Sequence, residues 1–224
     1  IIALFGDKTP NPAVVEQLRA QYHLDQPFIV QYFYYITGIF QGNLGSTFSG
    51  QSVNDVLART LPVTARLAVM AIAIEFTLAI IIGTVSALRK GKLFDNTMLV
   101  IALIFVALPI FVLSFLAQYF LAIQWGWFKP TVGAQNDWGD LWLPAIVLGF
   151  NSAAVIARLV RSSMLEVLNQ EYIMTARSKG LGEASVVLRH AFRNALIPVI
   201  TVTGLQFGFL LGGTVVTETV FARQ

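Results

Sequence analysis

The segment EYIMTARSKGLGEASVVLRHAFRNALIP, residues Glu171–Pro198, decides how this chain is organised. It is polar and basic, it has the length of two short helices, and it separates two apolar stretches that are each long enough to cross a bilayer. An ordinary loop between membrane helices has no need of a folded amphipathic unit. The segment therefore predicts a place where a membrane-embedded chain grips a soluble partner.

The composition assigns the rest of the chain to the membrane. Hydrophobic residues make up 56% of the sequence and charged residues only 12%, against about 25% charged residues in a soluble domain. The net charge of +3 does not indicate a nucleic-acid partner, because the basic residues cluster beside apolar stretches, where they favour retention at an anionic cytoplasmic surface. The chain has no cysteine, which excludes thiolate chemistry and disulfides.

Four apolar stretches are long enough to cross a bilayer, so the predicted fold class is an all-α integral membrane protein with a helical bundle. Pro109 and Pro144 are expected to kink or cap their helices. Small residues such as Gly83 and Gly149 permit close helix packing. The predicted spans are 61–88, 97–123, 141–160 and 195–216.

Lysine and arginine residues near the span ends predict the orientation. The connections 89–96 and 158–194 are basic, and so are expected in the cytoplasm, whereas 124–140 carries only Lys129 and two aspartates. Both ends of the chain are then expected outside. Residues 1–60 form an external segment, with a short helix from Asn11 to about Tyr22, an aromatic stretch over 31–40 and another short helix over 53–59.

The sequence contains no phosphate-binding loop and no metal-ligand spacing, so no intrinsic enzyme activity, cofactor or metal is expected. Glu75 is the one acidic residue deep in a predicted span. A carboxyl there suggests a proton relay or substrate contact, but the favoured interpretation is pairing with a neighbouring helix or contact with a wet cavity. Asn151 and Gln206 are interpreted as interhelical hydrogen-bonding partners.

Within the segment 161–194, the sequence predicts two short helices joined by a glycine turn. Gly180 and Gly182 are placed to end the first helix, Glu183–His190 forms the second, and Asn194 is expected to cap the last span. We call residues Glu171–His190 the knob. The alternative is an amphipathic surface helix that lies on lipid headgroups.

Two sets of motifs resemble one family of transporters. Thr175-Ala176-Arg177-Ser178-Lys179-Gly180, followed by Leu188-Arg189-His190 and Asn194-Ala195-Leu196-Ile197-Pro198, resembles the EAA coupling loop of ABC importer permeases. Thr175 and Arg177 stand where the general motif has Glu and Ala, a departure that resembles the dipeptide, oligopeptide and nickel branch. Tyr22-His23-Leu24-Asp25-Gln26-Pro27 and Gly42-Asn43-Leu44-Gly45 resemble the external segment of the first permease subunit in that branch.

The resemblance implies a type I ABC importer permease fold, of whose usual six spans this sequence shows four, so a partial chain is expected. It implies a location in the bacterial cytoplasmic (inner) membrane. The implied partners are a second permease subunit, two ATP-binding subunits that carry the ATPase activity, an external substrate-binding protein and a peptide substrate. The residues it assigns to coupling with the ATPase are Glu171, Thr175, Ala176, Arg177, Lys179, Gly180, Leu181, Gly182, Arg189 and His190.

Within this resemblance, Gly180 acts as the hinge, Ala176 is small for close approach, and Arg177 and Lys179 pair with acidic groups on the partner. Alternatives remain at this point. A secondary transporter or channel needs paired intramembrane charges or inverted repeats, and neither is visible. A scaffold subunit would use the knob without moving substrate. Peptide, nickel complexes and glutathione are not distinguished by any residue.

Overall fold

The computed structural model of this chain describes residues 16, 19, 24–47, 51–132, 138–212, 217, 220 and 221. Contacts divide the chain into two compact units, Ile1–Arg59 and Thr60–Gln224. The helix predicted from Asn11 to Tyr22 lies outside the described residues, except for Glu16 and Arg19, which are helical.

The first unit contains an apolar helix, α1, over Phe28–Phe40, which includes the predicted aromatic stretch. None of its residues is buried, so its aromatic side chains have no core to enter within the described part of this unit. A loop follows in which Gly42 and Gly45 adopt positive φ. The Asn54 side chain fastens this loop, since Oδ1 accepts a hydrogen bond from Leu44 N–H at 3.2 Å and Nδ2 donates to the Gly42 carbonyl.

Six further helices follow α1 among the described residues. In chain order they are α2 Val53–Leu88, α3 Leu93–Ala107, α4 Ile110–Gln124, α5 Trp142–Leu168, α6 Glu171–Ser178 and α7 Glu183–Gly212. The separate short helix predicted over 53–59 is wrong, because α2 begins at Val53 and ends only at Leu88. Among the described residues the only strand-like pairing is an isolated bridge between Ser46 and Ser52.

Among the described residues, three helices, α2, α5 and α7, are long and apolar enough to cross a membrane, and α3 and α4 pass the same test only as a bent pair. The axes of α3 and α4 differ in direction by 102°. The second predicted span is therefore two helices rather than one. Pro109 does more than kink a helix. Leu108 is extended and Pro109 directly precedes the first residue of α4, so the helix is broken there.

The break at Pro109 frees a backbone carbonyl that another helix satisfies. Proline has no N–H to donate to the residue four positions earlier, which here is Phe105. Asn151 of α5 donates its Nδ2 hydrogen to the Phe105 carbonyl at 3.2 Å. Irregular backbone at membrane depth persists where neighbouring protein groups satisfy it, and Asn151 is the interhelical partner that the sequence predicted.

Helix α5 occupies the centre of the second unit and has more buried residues than any other described helix. Two glycines allow α2 and α5 to approach closely. A Cβ atom on Gly83 would lie 2.5 Å from the Ala157 carbonyl oxygen, and one on Gly149 would lie 2.9 Å from the Ala71 carbonyl oxygen. Both contacts are with backbone, so the packing of these two helices requires glycine at both positions.

Candidate functional site

The knob is a short helix, a tight turn and the beginning of the last long helix. Gln170, in an extended conformation, precedes α6, and α6 ends in a turn in which Gly180 has φ +79°. The Gly180 N–H donates to the Arg177 carbonyl at 2.9 Å and the Leu181 N–H to the Ala176 carbonyl at 3.4 Å. This is the Schellman pattern of a helix terminus with glycine in the left-handed region, so the turn at Gly180 is fixed by hydrogen bonds.

The second half of the knob is not a separate helix. Residues Glu183–Ser185 are α-helical, Val186–Ala191 form a π-helical stretch, and the α-helix then continues over Phe192–Gly212. Asn194, which was expected to cap the last span, lies inside this helix, and that prediction is wrong. Its Nδ2 instead donates to the Tyr172 hydroxyl at 2.8 Å and joins α6 to α7.

One side of the knob is buried against the bundle. Ile173 and Val186 are fully buried and Val187 nearly so, and they belong to one core cluster with Val160 and Met164 of α5. Ala176 is buried in the same cluster. The small size of Ala176 is therefore required by the chain's own core, which corrects the expectation that it meets a partner.

The opposite side of the knob exposes large apolar residues. Tyr172 is 42% exposed, Met174 54% and Leu188 66%. Other residues assigned to coupling share this accessibility: Glu171, Thr175, Lys179, Leu181, Gly182 and Arg189 are exposed, and His190 is half-buried. Exposed apolar groups within a charged rim form a surface suited to a protein groove.

Arg177 is already paired within the knob. Its guanidinium donates to both carboxylate oxygens of Glu183, at 3.1 Å from Nε and 2.6 Å from Nη2. These hydrogen bonds raise the pKa of Arg177 above its ordinary value, so the group stays cationic. Within the described residues Arg177 bonds Glu183 across the Gly180 turn, and its pairing with an acidic group on a partner stays a prediction.

The sequence reasoning missed an ion pair at the same end of the bundle. Asp95, in the first turn of α3, is 1% exposed, and Arg161 of α5 donates to its two carboxylate oxygens at 2.6 and 2.7 Å. The Gly91 N–H also donates to Asp95, at 2.9 Å. The sequence places Arg161 only within the basic connection 158–194, although the acid next to the basic run Arg89, Lys90 and Lys92 was an available signal.

The polar residues within the spans have different surroundings. Glu75 of α2 is fully buried, and neither carboxylate oxygen has a hydrogen-bond partner among the described residues. The predicted pairing of Glu75 with a neighbouring helix is therefore not found in that part of the chain. Gln206 is half-buried on α7. Among the described residues, no group of three His, Cys, Asp or Glu side chains could hold a metal ion.

Comparison with known proteins identifies the family. Residues 79–224, which include the knob and α3 to α7, match the model of the binding-protein-dependent transport system inner membrane component. The chain belongs to this family. It is a multi-pass membrane protein with the type I ABC permease fold and is a permease subunit of an ABC importer.

Curated relatives match the permease over nearly its whole length. A relative in Brucella abortus, named as a peptide transport system permease protein, is 41% identical over 99% of this chain and 72% of its own length. The glutathione transport system permease protein GsiC of Salmonella choleraesuis is 39% identical over 97% of this chain and 71% of its own. The GsiC protein of Pectobacterium atrosepticum is 40% identical over the same shares.

Proposed function

We propose that the knob docks in a groove of an ATP-binding subunit and couples ATP hydrolysis there to substrate movement through the bundle. The observation that carries this proposal is the two-sided burial of the knob. Ile173 and Val186 anchor it in the core, while Met174 and Leu188 on its other side are more than half exposed. A surface helix lying on lipid would use the same exposed residues, so the proposal requires a direct test.

The backbone connections of the knob supply a route for the coupling. The knob follows α5 after two residues and continues into α7 without interruption. The Tyr172–Asn194 hydrogen bond and the Arg177–Glu183 ion pair hold α6 and α7 together. A displacement of the docked knob therefore moves α5 and α7 as rigid bodies, which is an established kind of switching transition.

The complete importer in this proposal contains a second permease subunit, two ATP-binding subunits and an external substrate-binding protein. This chain forms half of the translocation pathway, and the ATPase activity belongs to the partners. The basic connections 89–96 and 158–194 lie in the cytoplasm of a bacterial cell, and residues 1–60 and both chain ends lie outside its inner membrane.

A peptide is the proposed substrate, because the Brucella relative carries a peptide transport name. Glutathione is a second candidate, since two other relatives are named for glutathione transport. The alternative of a secondary transporter or channel is set aside, because the matched family is binding-protein-dependent. ATP-dependent uptake of a labelled oligopeptide and of labelled glutathione by the reconstituted importer separates the two substrates.

Disulfide cross-linking tests the docking, and the absence of native cysteines in this chain makes it direct. A single cysteine at Ala184, an exposed position at the start of α7, is combined with one in the groove of the ATP-binding subunit. We expect a specific disulfide whose yield changes when nucleotide is added.

The matched control is a cysteine at Ala176, which lies in the same segment but is buried against the bundle. It should give no cross-link in the assembled complex. If the Ala184 cysteine also fails while all subunits co-purify, the knob lies on lipid headgroups instead and the docking proposal is wrong.

A further inference from the structure

A long cavity of about 230 Å³ lies between α2, α3 and α5. Its walls are almost entirely apolar and include Ala153, Ala154, Ala157, Phe105 and Phe150. The α5 residues that line it extend from Phe150 to Arg161, a distance of about 16 Å at 1.5 Å per residue. These proportions fit a narrow hydrocarbon chain and offer few groups to hydrate a peptide.

Unsatisfied polar atoms mark one end of the cavity. Arg158 and Ser86 both line it, and Arg158 Nε and Ser86 Oγ are buried without a hydrogen-bond partner among the described residues. Ser86 is 3% exposed. Arg161 also lines this end but is satisfied by Asp95. Arg158 therefore remains as a cation with an available donor, and a buried donor that stays unpaired is costly.

A basic depression adjoins the same end. Arg89, Lys92 and Thr97 line it, and Met98 is part of both its wall and the wall of the cavity. A cationic surface that continues into an apolar channel has the chemistry that recognises an anionic lipid headgroup together with its acyl chain.

We propose that this cavity binds an anionic phospholipid. One acyl chain lies between α2, α3 and α5, its phosphate accepts hydrogen bonds from Arg158, and the rest of its headgroup lies over Arg89 and Lys92. The lipid belongs to the cytoplasmic leaflet, a detail that rests on the orientation proposed above. The site is separate from the outward side of the knob, so it can fail without affecting the docking proposal.

Native mass spectrometry of the full importer tests this site. The complex is assembled in nanodiscs that contain equal amounts of phosphatidylglycerol and phosphatidylcholine, then released and weighed. We expect phosphatidylglycerol to remain bound in preference to phosphatidylcholine. Arg158→Gln should reduce its retention about tenfold, the value of one hydrogen bond to a charged group. Arg193→Gln removes the same charge at an exposed position away from the cavity and should retain the lipid.

A second variant tests the acyl channel without changing charge. Ala154→Leu places a larger side chain in the cavity and should lower lipid retention by a similar factor. Val155→Leu, the matched control on the next residue, does not line the cavity and is 45% exposed, so it should retain lipid as the unaltered protein does. If the Ala154→Leu variant fails to assemble, the Arg158→Gln variant decides the question. Arg158 Nε has no hydrogen-bond partner among the described residues, so replacing this side chain leaves no other group there without its partner.

Three results would overturn the proposal. Phosphatidylcholine could be retained as well as phosphatidylglycerol, or Arg158→Gln could retain lipid like the unaltered protein. A cysteine at Ala154 could also cross-link efficiently to another protein subunit, which would show that a polypeptide rather than a lipid covers the cavity.

Discussion

Asp95 of α3 and Arg161 of α5 form an ion pair in which the aspartate is almost completely buried. Asp95→Asn removes the negative charge and leaves Arg161, whose side chain is only 21% exposed, without its counterion. Breaking a buried pair in this way typically destabilises a protein by about 3 kcal/mol. We expect a clear fall in the Tm of the purified permease in detergent.

The double variant Asp95→Asn/Arg161→Gln is the control for this pair. It removes both charges and should recover part of the lost stability, because no buried charge remains unpaired. If the stability loss of the double variant equals the sum of the losses of Asp95→Asn and Arg161→Gln alone, the ion pair does not stabilise this contact.

Gly180 and Gly182 form a matched pair for testing the knob turn. Gly180→Ala places a side chain at φ +79°, a strained conformation that costs about 1–2 kcal/mol. We expect it to lower ATP-dependent uptake and co-purification of the ATP-binding subunit while the protein still inserts into the membrane. Gly182→Ala should do neither, since Gly182 has φ −62° and no atom lies within 4 Å of the position that an added Cβ would take. Equal losses of uptake and co-purification in the two variants would show that the turn does not specifically require glycine at position 180.

Single-residue roles were harder to predict from the sequence than the site itself. The motif around Thr175–Gly180 located the knob, but the pattern does not state which side of α6 faces the bundle. Ala176 is expected to approach a partner for this reason, whereas it packs inward against the core. The burial of Asp95 depends on its contact with a residue 66 positions away, and the basic run beside Asp95 does not identify that residue as Arg161.

The crossing of α2 and α5 depends on two positions without side chains. Gly83→Ala and Gly149→Ala each place a methyl group within 3 Å of backbone atoms of the facing helix. Overpacking of this kind costs about 1–3 kcal/mol, so both should lower the thermal stability of the purified permease. Gly208→Ala is the control, because nothing lies within 4 Å of its Cβ position. If the Gly83→Ala and Gly149→Ala variants are as stable as the Gly208→Ala variant, α2 and α5 are farther apart than the structure places them.

The break between α3 and α4 is stabilised from outside by Asn151. Asn151→Leu leaves the Phe105 carbonyl without a donor, and interhelical hydrogen bonds in membranes contribute about 0.6 kcal/mol on average. We expect a small loss of thermal stability, measured against Val155→Leu on the exposed side of the same helix. A gain in stability would mean that the broken pair does not need this hydrogen bond.

The spans were predictable as apolar stretches, but their ends were not. Polar residues at Glu183–Asn194 suggested a short helix and a cap, yet α7 continues through them because Val186, Val187 and Ala191 are buried against the bundle. Tertiary burial overrides local signals here. Pro109 is recognisable as a helix breaker, but the 102° angle between the two helices cannot be read from proline alone.

The proposed orientation of the whole chain predicts opposite labelling of two introduced cysteines. Thr131 and Ala184 are both exposed, and they lie in connections of opposite predicted sidedness. A membrane-impermeant thiol reagent should label a Thr131 cysteine in intact spheroplasts and an Ala184 cysteine only after permeabilisation. The reverse pattern would invert the orientation and place the knob on the same side as the external binding protein.

The uninterrupted course of α7 has a mechanical consequence. Its 30 residues make a rod about 45 Å long at 1.5 Å per residue, and one end of that rod is the knob itself. A rotation of about 10° around the middle of the rod would shift each end by roughly 4 Å in opposite directions. Under the docking proposal, a displacement of the knob in one direction would move the far end of α7 by a similar distance in the opposite direction, as the two ends of a lever move.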